Sequence, residues 1–309
     1  MFVLHSFLLD FGEANYIREY FDSEASYWND VYAGDDVQGL IYRLRHVTAL
    51  EWISKLTLAT HARILDAGCG AGLMAVDLAR RGLHVEAIDP SQAMIDLTAK
   101  NAREAGVDGV HAHVADVYSM ESPSESFDLV IGLGLIPWLP DVDRALGELV
   151  RVTKPDGYVL LTADNRHRLN HWLDPVLIPV LKPLRRRSRG ILERTGLHIP
   201  RAISATFHDV RTLDDALRRA HMHKIRSTTL GFGPFSLFNR QVLSNKKGKE
   251  VHVALQRLAD SGLPILNGMG SHYVVLAQKV ALPFPGETDV HQNSSLGPEG
   301  AARRLEGAS

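Results

Sequence analysis

The stretch Ile64-Leu65-Asp66-Ala67-Gly68-Cys69-Gly70-Ala71-Gly72 decides how this chain is read. Arg63-Ile64-Leu65 reads as the end of a buried strand and Leu73 to Arg80 as a helix, with three glycines at alternate positions between them. A strand that turns abruptly into a helix needs residues that tolerate positive φ, and glycine does so without a Cβ penalty. Glycine also lets a ligand lie directly against backbone, beside the partial positive charge of a helix start. Any tight turn can contain glycine, so the spacing matters more than the composition. A dinucleotide fingerprint, G-x-G-x-x-G/A, counted from Gly68 requires a small residue at position 73, where Leu73 stands.

Outward from this turn, His84 to Ile88 is a short β-type run that ends in Asp89-Pro90-Ser91. A carboxylate at the end of that second strand can accept two hydrogen bonds from the hydroxyls of a ribose. The alternative is a helix cap, since Asp, Pro and Ser all suit the start of the helix expected over Gln92 to Ala105. Val110 to Val117 reads as a third strand closed by Asp116, Phe127 to Gly132 as a buried fourth, and Val142 to Val152 as an amphipathic helix. Tyr158 to Thr162 is a fifth strand. Strand and helix alternate to this point, which gives a parallel, doubly wound sheet. In such a sheet ligands sit outside the carboxyl ends of the strands, so Trp138, just past the fourth strand, is a candidate to line the substrate site. Its other reading is a plug under the loop.

The flanks are less regular. Residues 14 to 60 read as helical and aromatic, with Ile41, Leu44, Val47, Leu50 and Ile53 recurring at helical spacing on one buried face. They form an N-terminal helical cap over 1–60, ahead of an α/β core over 61–165. Residues 166–206 break the repeat and read as an inserted lid. Residues 207–282 return to the core through a helix over Phe207 to His223, a strand over Lys224 to Leu230, a largely helical insertion over 235 to 267, and a last strand over His272 to Val280. The tail, 283–309, is rich in Gly, Ser, Pro and Glu and is expected to be disordered.

At 309 residues with 45% hydrophobic residues, the chain can bury a full core. A net charge of −2 gives no general reason to expect a nucleic-acid partner. The single cysteine, Cys69, excludes an intramolecular disulfide framework, and its place inside the turn suits a small packing residue. The fifteen histidines are scattered, and His221 and His223 at i, i+2 face opposite sides of a helix, so no metal site is expected. No apolar run reaches the length of a membrane span, and the apolar start lacks the basic flank of a signal peptide. A cytoplasmic enzyme is the expectation.

The pattern Asp-x-Gly-x-Gly-x-Gly, Asp66 included, resembles the first motif of the class I S-adenosylmethionine-dependent methyltransferases, and Phe127-Asp128-Leu129-Val130 resembles their FDxV segment. The resemblance implies a seven-stranded, mostly parallel sheet with helices on both faces and an antiparallel edge. It also implies S-adenosyl-L-methionine as cofactor, held by Asp66, Gly68, Gly70, Gly72, Asp89 on the ribose, and Asp116 with Val117 on the adenine. The N-terminal helices would cap the cofactor, with Arg43 a candidate for its carboxylate. The usual two glycines after the fifth helix are reduced to one by Asp156.

The activity implied by this resemblance is methyl transfer to a small-molecule acceptor, favouring an oxygen nucleophile on a lipophilic or anionic natural product, lipid or sugar-like compound. His167 and His171, just past the fifth strand, are candidates for a general base, with His208 more distant. A nicotinamide-dependent oxidoreductase and a non-catalytic S-adenosylmethionine-binding regulatory subunit are the competing readings. In the lid, an apolar stretch from Trp172 to Leu184 precedes Arg185, Arg186 and Arg187. That pairing suits a lipophilic or anionic acceptor, or peripheral contact with an anionic membrane face, although a basic run is often only a solvated face.

Overall fold

The computed structural model describes residues 17–174, 205–238 and 240–280. Arg185, Arg186 and Arg187, most of the expected lid and the C-terminal tail lie outside the described residues. Residues 17–23 are helical and lead into α1 (Ala25–Asp30) and α2 (Val37–Ile53). The alternating core follows as β1 (Arg63–Ala67), α3 (Leu73–Ala79), β2 (His84–Asp89), α4 (Gln92–Glu104), β3 (Val110–Val114), β4 (Phe127–Gly132), α5 (Val142–Val152) and β5 (Thr153–Asn165). The second half contains α6 (Leu169–Leu173), β6 (Phe207–His208), α7 (Val210–Arg219), β7 (Met222–Leu230), a small hairpin of β8 (Ser236–Leu237) and β9 (Arg240–Gln241), α8 (Asn245–Asp260), α9 (Pro264–Asn267) and β10 (His272–Lys279).

The main sheet runs in the order β3-β2-β1-β4-β5-β10-β7, with the two-residue β6 paired to the end of β5 as an eighth strand. The first five strands are mutually parallel, and β10 is antiparallel to both of its neighbours. The antiparallel strand is therefore interior rather than at the edge. Both faces are covered. Leu65, Val130, Val159, Leu161 and Val275 point to the side of α5 and α7. Ile64, Leu129, Ile131, Leu160, Val274 and Leu276 point to the side of α2 and α3. Adjacent residues of one strand thus enter opposite cores, as the period of two requires. This is why these strands read as continuous apolar runs.

Several boundaries differ from the sequence expectation. β3 ends at Val114, which leaves Asp116 two residues beyond the strand, in a turn where its Oδ1 accepts from Tyr118 N. The helix expected over 207–223 is shorter, because Phe207 and His208 pair with Asp164 and Asn165 before Asp209 caps α7 through Arg211 N. β5 begins at Thr153 rather than Tyr158. Asp156 takes a positive φ of 59° inside a register irregularity against β4, so the turn lies within the strand.

The glycine turn adopts the conformation its sequence demands: Gly68, Gly70 and Gly72 have φ of 67°, 54° and 74°. It is braced from outside. Gly68 N and Cys69 N both donate to Ile88 O at 2.8 and 3.0 Å. From α4, Thr98 Oγ1 donates to Gly70 O and Asn101 Nδ2 to Ala71 O, each at 2.8 Å. A Cβ on Gly72 would stand 2.5 Å from Thr98 Cγ2, whereas one on Gly106, also at positive φ (65°), meets nothing within 4 Å. Gly106→Ala should therefore cost only the left-handed penalty, about 1–2 kcal/mol. Gly72→Ala should add an overpacking cost of roughly 1–3 kcal/mol. Urea unfolding of the two variants checks the difference.

Candidate functional site

The carboxyl ends of β1, β2, β4 and β5 open onto one cavity of about 440 Å³, within the usual range of about 300–1,000 Å³ for small-ligand sites. Its floor is acidic. Asp66, next to last in β1, is 2% exposed, and its Oδ2 is buried without a hydrogen-bond partner. Asp89 ends β2 at 7% exposure. Its Oδ2 accepts from Gly70 N at 3.1 Å and its Oδ1 from Ser91 N at 2.9 Å. One carboxylate thus ties the glycine turn to the start of α4. The cap of that helix is Ser91, whose Oγ accepts from Met94 N.

Burial dominates the electrostatics of this floor. It raises the Asp66 carboxyl to about 7, helped by the charge of Asp89 and opposed by a backbone hydrogen bond from Ala75. It raises Asp89 to about 6, against the opposing N–H groups of Ser91 and Gly70. Both oxygens of Asp89 already take one backbone donor, and each keeps a second lone pair for a ligand hydroxyl.

Asp66, Gly68, Gly70, Asp89, Asp116 and Val117 all line the cavity, and so does Trp138. Gly72 stands behind the wall against Thr98. A Cβ on Gly70 would meet no protein atom within 4 Å, so the turn presents open backbone there. Trp138 is half-buried. It lines the cavity, stacks on Tyr20 with ring centroids 5.6 Å apart, and takes Phe21 and Trp28 edge-on at 5.0 and 6.2 Å. The N-terminal segment is also tethered by a hydrogen bond: Asp22 Oδ1 accepts from Ser91 Oγ at 2.6 Å.

His167 and His171 do not reach this cavity. His167 Nε2 lies 2.9 Å from Asp209 Oδ2 in a separate surface cleft beside α7. His171 is buried, with Nδ1 on Arg166 O and Nε2 accepting from Arg168 Nε, and its ring edge meets Phe207. Residues after Asn165 turn away to form α6, which carries both rings off the wall. His208 is likewise absent from it, and burial lowers its pKa. Arg43 is also displaced: its Nη1 donates to Tyr32 O and Gly34 O.

Beyond the acidic floor, further polar groups on the cavity wall come from α2 and β5. Arg45, 5% exposed, donates from Nη2 to Tyr32 Oη at 2.8 Å and lies 4.6 Å above the Tyr42 ring. Its Nε is buried without a partner, and it forms no ion pair among the described residues. His46 is 9% exposed, and its Nε2 lies 2.8 Å from Asp77 Oδ2 on α3. Asp164 lines the far wall. His272 Nδ1 stands 3.0 Å from its Oδ1, close enough for an ion pair though not aligned as a hydrogen bond. Burial acts to raise the Asp164 carboxyl, but His272, Arg168 and Arg45 outweigh it and hold it low.

Sequence reasoning missed this group because it followed aliphatic residues alone. Ile41, Leu50 and Ile53 are buried as expected, but Val47 is 59% exposed. The stripe that faces inward is Ile41-Tyr42, Arg45-His46, Ala49-Leu50 and Trp52-Ile53. Tyr42, Arg45 and His46 at i, i+3 and i+4 were the available signal.

The acidic floor has a consequence for stability. An ordinary Asp loses its proton near about 3.9 in an unfolded chain, whereas Asp66 keeps it to about 7 in the fold. Between those values the native state binds more protons, so stability falls as pH rises through the window. Asp66→Asn should therefore stabilise the ligand-free protein by roughly 2–4 kcal/mol at about pH 8, taking about 1.4 kcal/mol per unit. The gain should vanish below about pH 4, where the aspartate is protonated in both states. Thermal and urea unfolding at both pH values check it.

Residues 65–161 match the model of a methyltransferase domain family. The chain is 35% identical over 105 residues to a ubiquinone biosynthesis O-methyltransferase of Alkalilimnicola ehrlichii, covering 34% of this chain and 42% of that protein. It is 30% identical over 118 residues to the same enzyme of Hahella chejuensis, covering 38% and 50%. The match thus spans about half the length of these curated relatives. Magnesium protoporphyrin IX methyltransferase from Synechocystis PCC 6803 has the same fold, with a TM-score of 0.58 at 15% identity over 86% of this chain and 99% of that one. So does the cyclase SpnF, with a TM-score of 0.54 at 19% identity over 86% and 96%. The glycine turn, the carboxylates at the strand ends and the matched segment coincide in one place: residues 65–161 are a methyltransferase domain of Rossmann-like fold, with S-adenosyl-L-methionine as its cofactor.

Proposed function

We propose that the protein transfers the methyl group of S-adenosylmethionine to an oxygen of a small, lipophilic, hydroxylated acceptor. The observation that carries this reading is the composition of the cavity. Its floor is the glycine turn with Asp66 and Asp89, and its roof is aromatic, with Phe21, Trp28, Tyr32, Tyr42 and Trp138. Aromatic walls favour a flat apolar ring system, and the two curated relatives are O-methyltransferases. Direct displacement at a methyl group asks the protein mainly for alignment and a site shielded from water.

The chain's own residues fit the cofactor. Asp89 offers its remaining lone pairs to the ribose hydroxyls, and Asp116 with Val117 supplies the adenine edge. The unpartnered oxygen of Asp66 and the unpartnered Nε of Arg45 belong to residues that line the same cavity. An ammonium and a carboxylate, the two charges of the cofactor's amino-acid end, match them in sign. Arg45 is buried and makes no direct ion pair among the described residues, so a ligand carboxylate there would supply one. Arg45 thereby takes the part for which Arg43 was the sequence candidate.

Calorimetry tests the reading. The parent should bind S-adenosylmethionine and S-adenosylhomocysteine, and NAD weakly or not at all. Asp89→Asn removes a charged acceptor, worth about 1.5–3 kcal/mol, and should weaken binding by roughly 10- to 150-fold. Tight NAD binding without a response to S-adenosylhomocysteine would overturn the assignment in favour of an oxidoreductase. Binding with no turnover on any hydroxylated acceptor would favour a regulatory subunit.

A further inference from the structure

We propose that His46, oriented by Asp77, is the base that takes the proton from the acceptor hydroxyl. This role depends on the O-methylation reading, in which the acceptor atom is a protonated oxygen. His46 is the one histidine on the cavity wall among the described residues. It projects from the buried stripe of α2, one residue after Arg45, and its ring stands edge-on to Tyr32 at 5.8 Å.

Its hydrogen bonding fixes its chemistry. Asp77, on the helix that begins at the glycine turn, presents Oδ2 to His46 Nε2 at 2.8 Å. The other oxygen of Asp77 accepts from Arg80 Nη1 at 3.0 Å. A carboxylate on Nε2 places the ring proton there and leaves Nδ1 with its lone pair. Nδ1 makes no hydrogen bond with any described residue. A histidine with one nitrogen on a carboxylate and the other free, on the wall of a ligand cavity, is the arrangement of a general base with its orienting group.

The other titratable groups on the wall serve less well. Asp164 is held low by His272, Arg168 and Arg45, which makes it a weak base. Asp66 and Asp89 belong to the cofactor floor. Tyr32 is engaged by Arg45 Nη2. The groups that bear on His46 are therefore Asp77 and, behind it, Arg80 after α3, Tyr32 from the preceding loop, and Arg45 beside it on α2.

The step balances without another reactant. The acceptor oxygen uses a lone pair to form the O–CH3 bond as the methyl–sulfur bond breaks, and the electron pair of that bond stays on sulfur. The hydroxyl proton passes to Nδ1 of His46. Asp77 stabilises the imidazolium, which then releases its proton to water. Asp77 acts through His46 and is a positioning residue.

The test uses the full chain with S-adenosylmethionine and a set of hydroxylated benzenes (phenol, catechol and their alkyl-chain derivatives), following S-adenosylhomocysteine formation across pH. The parent rate should show an acid limb. His46→Gln should lose about 100-fold or more in kcat and lose that acid limb, while binding S-adenosylhomocysteine as the parent does. His46→Ala should regain rate with added imidazole. Asp77→Asn should lower kcat while leaving the acceptor KM and S-adenosylhomocysteine binding as in the parent, the split expected of a residue that positions the base. A His46→Gln enzyme that binds S-adenosylhomocysteine and keeps the parent's rate and pH profile would overturn the inference alone. A parent that turns over none of these acceptors would overturn the O-methylation reading itself.

Discussion

The site depends on the Asp89 carboxylate being shared between two pieces of backbone. One oxygen accepts from the glycine turn and the other from the start of α4. The preceding carbonyl, Ile88 O, takes two more N–H groups from the turn. Three positive-φ glycines at alternate positions would otherwise be the loosest part of the chain. They are instead held on the side away from the cavity by β2 and α4, which leaves their ligand-facing side bare. The same bracing reaches the cap, since Ser91 also donates to Asp22 and Asn101 donates to Asn29 as well as to the turn. Floor and roof of the cavity are fastened to one short segment, 89–101.

Holding two carboxylates in a nearly dry floor opposes folding, and an unpaired guanidinium on the wall adds to that cost. These residues line the cavity, where a ligand that carries the opposite charges would offset that cost. What destabilises the empty protein therefore strengthens the loaded one, because anything bound only by the native state adds to its stability.

The core was legible in the sequence because it obeys local rules. The period-two strands buried on both faces, the amphipathic α5, and the glycine turn each announce themselves within a short window. Cavity-lining Asp66, Asp89 and Asp116 follow directly, being at or just beyond strand ends. The histidine on the cavity wall, His46, was not legible. Proximity in sequence to the end of β5 favoured His167 and His171, but the chain bends away at Asn165, whose side chain is fixed by Gly268 O and Gly270 O from a segment far along the chain. No local pattern encodes that contact. On α2, the inward stripe carries Tyr42, Arg45 and His46 among its aliphatic residues, so a reading by hydrophobicity alone rotated the helix toward Val47.

That difference in legibility divides the cavity along a physical line. One side is built from turns and strand ends, where backbone and short acids line the wall and sequence spacing fixes geometry. The other side is built from side chains on three separate pieces: residues 17–30, α2 and the end of β5. They meet only through tertiary packing, as in the stack of Tyr20 on Trp138 and the contact of His272 with the Tyr42 ring. The first two of these pieces lie before residue 65, outside the 65–161 segment that matches the methyltransferase family. A change in residues 17–53 can therefore alter which acceptor fits while leaving the glycine turn, Asp66 and Asp89 untouched. Under the proposed reading, acceptor specificity would rest with the N-terminal helices, and the turn that identifies the fold says little about it.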